Sequence, residues 1–163
     1  MNCVVKILGP GDDPILANVA AGVFDNPINA AWTKEFLEDS RHHIAVAIDA
    51  GLVVGFASAV RYIHPDKPPE LWINEVAVSP TYRGLGLAKA TMGALFELGK
   101  AHDCVTAWVL TNRNNAEAMA LYSSLGGIEG GAGIGDAVVG YSFDLQHIAD
   151  AHPSHPPSTP PPG

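Results

Sequence analysis

Basic residues are scarce in this chain. Nine Lys and Arg stand against 17 Asp and Glu, a formal charge of −8 over 163 residues. That balance leaves no extended phosphate-binding surface, so nucleic acid is not an expected partner, whereas an acidic field favours encounter with cations. Cysteine is nearly absent as well. Cys3 and Cys104 are too few for a disulfide framework, and Cys104, inside an apolar strand-like run, reads as a small buried hydrophobe. No apolar stretch approaches the ~20 residues of a membrane span. Residues 1–8 read as a strand, without the basic start and long apolar core of a signal peptide. A cytoplasmic protein with no membrane partner is therefore expected. The 47% hydrophobic content suffices for one domain with its own core.

Hydrophobic periodicity orders the chain. Residues 4–8 read as a strand, ended by Gly9-Pro10-Gly11. Asp12 or Asp13 then caps a helix with Pro14 in its first turn and Ile15, Leu16, Val19 and Val23 on one face. Asn26-Pro27 interrupts, and a short helix follows over about 33–40. Residues 44–48 and 52–62 form a hairpin about Asp49-Ala50-Gly51, and residues 64–69 a proline-stiffened loop. A strand over 71–78 leads through a glycine-bearing turn into a helix over 87–101. A strand over 104–110, a helix ending near Leu125 before Gly126-Gly127, and a strand over 137–145 complete the domain, residues 1–148. The interleaving predicts an α/β or α+β mixed sheet. Residues 149–163 cannot form a core and read as an extended, mobile Pro-rich tail. His147, His152 and His155 read as solvated residues of that end of the chain, and no metal site is expected.

The most informative segment runs from Glu70 through Val78 to Ser79-Pro80-Thr81-Tyr82 and Arg83-Gly84-Leu85-Gly86-Leu87-Ala88. A strand delivers a turn, and the turn opens a helix. The first amides of a helix lack intrahelical partners, its dipole favours an anion, and glycines let a phosphate approach. The turn is a plausible pyrophosphate cradle or simply a connector. It is not a dinucleotide fingerprint, because Lys89 stands where the third glycine belongs, and it lacks the Gly-Lys-Ser/Thr ending of a P-loop.

Arg83, Gly86 and Ala88 match the cofactor motif of the GNAT acetyltransferases: Arg or Gln, two residues, Gly, one residue, Gly or Ala. Asn115-Ala116, Leu121-Tyr122 and Leu125-Gly126 match that superfamily's second signature in order and spacing, and Ala77-Val78-x-Pro80 its strand ending. The chain thus resembles a GNAT domain over residues 4 to 145. The resemblance implies a splayed, mostly antiparallel mixed sheet flanked by helices, with acetyl-CoA between the fourth and fifth strands. It implies that Val76 and Val78 pair with the pantetheine arm beside Ala77. The amides of Arg83, Gly84, Leu85, Gly86, Leu87 and Ala88 would hold the pyrophosphate, and Asn115 the pantetheine side. Tyr122 would then protonate the departing thiolate, or else only pack on its helix. The Val76 N–H would receive the oxyanion. The resemblance also allows a homodimer.

Transfer to an amine requires that its ammonium proton leave. Glu75 interrupts an apolar strand, where burial raises a carboxylate's pKa toward that of a useful base. The alternative is pairing with Arg61 or Lys67. Glu70 is a second candidate, or a solvated flank. Strict alternation puts it on the face opposite Glu75 unless a bulge intervenes. Trp72 shares a face with Asn74 on ideal alternation and either lines the acceptor pocket or packs in the core. Several features resemble aminoglycoside 3-N-acetyltransferases: Leu8-Gly9-Pro10, Val53-Val54-Gly55, the spacing of Glu70, Ile73, Ala77 and Val78, Ala120-Leu121-Tyr122, and Phe143-Asp144. Such a polycation would need carboxylates, among them Glu70, Glu75, Glu129 and Asp144. Arg113 would repel it if it faced the pocket. A protein N-terminus, a lysine or a polyamine is the alternative acceptor, and a non-catalytic acyl-CoA-binding module the alternative of another class.

Overall fold

The computed structural model describes residues 2–130 and 137–148. The Pro-rich tail, with His152 and His155, and the glycines at 131 and 133 lie outside the described residues. Among the described residues seven strands form one sheet in the order β1-β2-β3-β4-β5-β7-β6. They are β1 (Val4–Leu8), β2 (His42–Asp49), β3 (Leu52–His64), β4 (Lys67–Val78), β5 (Thr106–Asn112), β6 (Ile128–Gly130) and β7 (Val138–Asp144). Every neighbouring pair is antiparallel except β4–β5, which is parallel. Among the described residues three α-helices accompany them: α1 (Ala30–Glu38), α2 (Leu87–Ala101) and α3 (Ala116–Ser124).

The two sheet faces are dressed differently. On one, α2 and α3 cover Ala57, Ala59, Leu71, Ile73, Ala107, Val109, Tyr141 and Phe143 around Met92, Leu95 and Phe96. On the other, Leu37 of α1, Leu16 and Val23 cover Ile44, Val46, Val53 and Phe56. That second layer lies on the β1–β3 half and touches β4 only at Ala77. Beyond it Trp72, Leu110 and Ile128 are exposed.

The helix expected after Asp13 is a single 3-10 turn, Asp13–Ala17. The chain leaves helical geometry because its backbone bonds to the sheet instead: Val53 N–H donates to Asn18 O at 2.9 Å and Ala20 N–H to Val53 O at 2.8 Å. Gly22, with φ +74°, continues the detour. Leu16 and Val23 are nevertheless buried, so the apolar positions hold while the secondary structure does not. α1 starts at Ala30, earlier than its periodicity suggests, because the Asn29 side chain accepts from the Ala31 and Trp32 amides. The residues expected as a proline loop instead extend β4 back to Lys67, and β6 follows Gly126-Gly127 where no strand is expected.

Candidate active site

β4 and β5 pair only from Glu70↔Thr106 to Ile73↔Val109. Past that point they separate, and β4 has no neighbour on its β5 side. Strand geometry then fixes which backbone groups look into the gap. Ser79 N–H donates to Val54 O across the β3 side at 2.8 Å. Successive residues alternate their N–H and C=O directions, so Ala77 also faces β3 while Val76 and Val78 face the gap. These are the two residues that the motif resemblance assigns to a pantetheine arm.

The gap is the root of a cleft of about 750 Å³, lined by Val76, Ala77, Val78, Arg83, Gly84, Gly86, Leu87, Ala88, Asn115 and Tyr122, among others. Its floor is the N-terminus of α2. Gly86 caps that helix with φ +76° and no side-chain hydrogen bond, so the first-turn amides keep their donors for a ligand. Gly84 is also left-handed, at φ +77°. Tyr82 O–H donates to Asp49 Oδ2 at 3.1 Å and ties the preceding turn to β2. A turn of unpaired amides with a favourable helix dipole fits a pyrophosphate. The Leu85 side chain is half-exposed and Leu87 is buried, so what these two offer a cofactor is backbone. Arg83 lies 3.8 Å from Glu117. Asn115 is the N-cap of α3, its side chain accepting from Ala118 N–H at 3.1 Å.

Tyr122 is 5% exposed. It packs on Tyr141 and edge-on to Phe143, with ring centroids 5.6 and 6.4 Å away. Burial raises its phenol pKa, which keeps the phenol protonated, and the residue lines the cleft. The link after α3 locks it in place. Gly127 N–H donates to Tyr122 O at 2.9 Å, and a Cβ at Gly127 would stand 2.7 Å from the Phe143 ring.

The carboxylates are arranged by one irregularity. The β3–β4 register passes from Ser58↔Glu75 to Ala59↔Ile73, so Asn74 is an extra residue. Before it, Leu71 and Ile73 face α2, and Glu70 and Trp72 face the other side. After it the parity reverses: Val76 joins the α2-side core and Glu75 turns to the face of Glu70 and Trp72. Ideal alternation puts Glu70 and Glu75 on opposite faces; the bulge brings them to one. Arg61 pairs with Leu71 and so belongs to the opposite face. Among the described residues Glu75 has no ion pair, with Arg61, Lys67 or any other. It is solvent-exposed on one side, yet burial of its remainder raises its pKa, and the negative charge of Asp25 raises it further.

Asp25 carries no signal in local periodicity. It arrives through the irregular segment before α1, which Phe24 holds over the sheet by stacking on Phe56 at 4.2 Å and Ser79 Oγ secures by donating to Ala21 O at 3.0 Å. Trp72 lies in register with Trp108, and their rings stack at 5.2 Å and 6°. Trp72 is 37% exposed, so it is not a core residue. Asp144 shares this face through Thr106, although its carboxylate is held by His147 Nδ1 at 2.8 Å. That contact, with the Gln146 amide, lowers its pKa. Glu129 is elsewhere. It pairs with Tyr141 in register, on the α3 side of the sheet, and forms a 2.8 Å ion pair with Arg113. The pair neutralises the cation expected to repel a polycationic acceptor.

The family model for the acetyltransferase (GNAT) family matches residues 16–126. The chain belongs to the GNAT family. Its relatives include an uncharacterized Mycobacterium leprae protein, 30% identical over 125 residues, and an uncharacterized Mycobacterium tuberculosis N-acetyltransferase, 28% identical over 106. The matches cover 76% and 65% of this GNAT chain, but 34% and 65% of those relatives. Among solved structures, an aminoglycoside acetyltransferase from an uncultured soil metagenomic sample is 26% identical, with TM-score 0.67 over 83% of this chain and 98% of that one. The ribosomal-protein-S18-alanine N-acetyltransferase of Escherichia coli shares the fold at 19% identity, TM-score 0.65, over 93% and 99% of the two chains. Arg83, Gly86 and Ala88 of the first motif and Asn115 and Tyr122 of the second thus meet in the GNAT cleft where β4 separates from β5. No helix among the described residues is long and apolar enough to cross a membrane.

Proposed function

We propose that this protein transfers the acetyl group of acetyl-CoA to a primary amine of a small polycation, with the 3-amino group of an aminoglycoside as the favoured acceptor. The observation that carries acetyl transfer is the cleft itself. Val76 and Val78 turn free backbone groups toward it, the open amides of α2 meet it from below, and Tyr122 lines it. The preference for a cationic acceptor rests on Glu70 and Glu75 sharing one face with the stacked tryptophans, on the charge of −8, and on similarity to the metagenomic aminoglycoside acetyltransferase.

In this mechanism Glu75 takes a proton from the acceptor ammonium, directly or through water. The freed nitrogen lone pair attacks the thioester carbon, and a C–N bond forms. The Val76 N–H stabilises the oxyanion. Collapse breaks the C–S bond, the Tyr122 hydroxyl gives its proton to the departing thiolate, and the second proton leaving the new amide nitrogen passes through water to restore Tyr122. Glu70 and Asp144 hold further ammonium groups. The thiol released from acetyl-CoA is the assay, with gentamicin-type aminoglycosides, spermidine, lysine-bearing peptides and free-N-terminal peptides as acceptors. Release with an aminoglycoside above the peptides supports the proposal. Release with peptides alone overturns the acceptor, and acetyl-CoA binding without release from any amine overturns the enzyme in favour of a binding module.

A further inference from the structure

The GNAT cleft accounts for the α2 side of the strand separation. It leaves unexplained the opposite side, where two tryptophans stand in register on β4 and β5 with rings 5.2 Å apart and nearly parallel. They occupy the last rung but one before the strands part, since Ile73↔Val109 is the final pair. Among the described residues no helix packs on them, since the second layer lies on β1–β3 and reaches β4 only at Ala77. A sheet face left open beside water ordinarily carries polar residues at such positions. Here 37% of Trp72 is exposed, and the only irregularity in β4 between the tryptophan and the cleft is the bulge that turns Glu75 to the same face.

Building on the acetyl-transfer reading above, we propose that Trp72 and Trp108 are specificity-determining residues: a platform that takes a cationic amino-sugar ring of the acceptor. The chemistry of the surroundings selects that occupant. An indole face attracts an ammonium group and packs against C–H groups. Glu70 lies two register pairs back and Glu75 just past the bulge on the same face, and Asp25 approaches from the covering segment closely enough to disfavour a charged Glu75. Aromatic surface bounded by carboxylates complements a molecule that presents ammonium groups on a ring with apolar C–H faces. A neutral sugar would leave the carboxylates without partners, and a purely apolar partner would bury them at a cost. The platform sits where the two strands diverge, so a ring resting on it can direct one amine through the separation toward the thioester.

The test uses the full chain with CoA bound and tobramycin as probe. Indole N–H resonances of Trp32, Trp72 and Trp108 are assigned from single Trp→Phe variants and followed through a tobramycin titration. Steady-state kinetics are run on Trp72→Leu, Trp108→Leu and Trp108→Phe. The expected result is movement of the Trp72 and Trp108 signals with Trp32 still. Tobramycin KM should rise at least tenfold in both Leu variants and recover largely in Trp108→Phe, at unchanged acetyl-CoA affinity and melting temperature. If tobramycin is acetylated but the two indoles stay still and KM is unchanged in the Leu variants, the platform is overturned while the transfer reading stands. If the indoles move without turnover, the platform stands and the transfer reading fails. No shift and no turnover overturns the platform too. Should a Leu variant melt early, the wild-type titration and Trp108→Phe still decide.

Discussion

Tyr122 and Glu75 divide the proton traffic of the proposed reaction, and their surroundings differ in the right sense for it. Tyr122 is buried between α3 and the β7 aromatics, and its raised pKa keeps it protonated at neutral pH. Tyr122→Phe deletes one oxygen and leaves the packing, so turnover should fall about tenfold to a hundredfold while acetyl-CoA affinity holds. Isothermal titration beside initial rates measures both, and equal rates for variant and parent across pH would remove the acid role. Glu75 is a base only when ionised. With its pKa raised, parental activity should climb as pH rises through that shifted value. Glu75→Gln leaves the ammonium to solvent, so the deficit is largest at low pH and shrinks as hydroxide deprotonates the acceptor unaided. A kcat/KM profile of unchanged shape in Glu75→Gln would count against the assignment.

At the level of elements, the link from α3 into β6 shows how tightly the acid is held. A methyl group on Gly127 would meet the Phe143 ring at 2.7 Å and the Tyr122 carbonyl at 2.8 Å. Phe143 is fully buried and has nowhere to go. Gly127→Ala should therefore lose about 1–3 kcal/mol and melt several degrees lower, with a drop in kcat if Tyr122 is displaced. An unchanged melting temperature by calorimetry would contradict this packing. Much of the element order is legible in the sequence, because α2 and the inner strands carry uninterrupted apolar periods, and their motifs mark the cleft in advance. What is not legible depends on non-local bonds. The backbone of Asn18 and Ala20 is claimed by Val53, which converts an amphipathic pattern into a 3-10 turn and a detour. β6 is only three residues long, too short for a period. Glu129 is acidic and near the motifs in sequence, yet its pairing with Tyr141 sends it to the other side of the sheet. Asp25 approaches Glu75 through a loop whose course no local pattern encodes.

For the whole molecule, stability should depend on acidity through His43. It is buried on the sheet, its ring stacks on His102 at 5.5 Å, and its Nε2 has no hydrogen-bond partner. Burial, then the charges of His102, Arg61 and His42, lower its pKa to about 4 from the usual 6.5. Between these values the unfolded chain binds the proton more readily than the folded one, so stability rises with pH across the window. Acidification from 6.5 toward 4 should thus remove up to about 3 kcal/mol, a loss that His43→Leu abolishes. Denaturant unfolding of parent and variant at pH 4.5 and 7 checks this, and parallel pH dependences would refute it. The bulge at Asn74 has a consequence of its own for how such a protein can change. One strand presents side chains to the acceptor and main chain to the cofactor, and the extra residue fixes their relative phase. Side chains at 70 and 72 can be exchanged without touching the base at 75 or the amides at 76 and 78, so new acceptors can be explored while the acetyl donor stays the same. Deleting Asn74 alone would remove the bulge and restore strict pairing with β3, with Glu75 still on the acceptor face and Val76 still in the core.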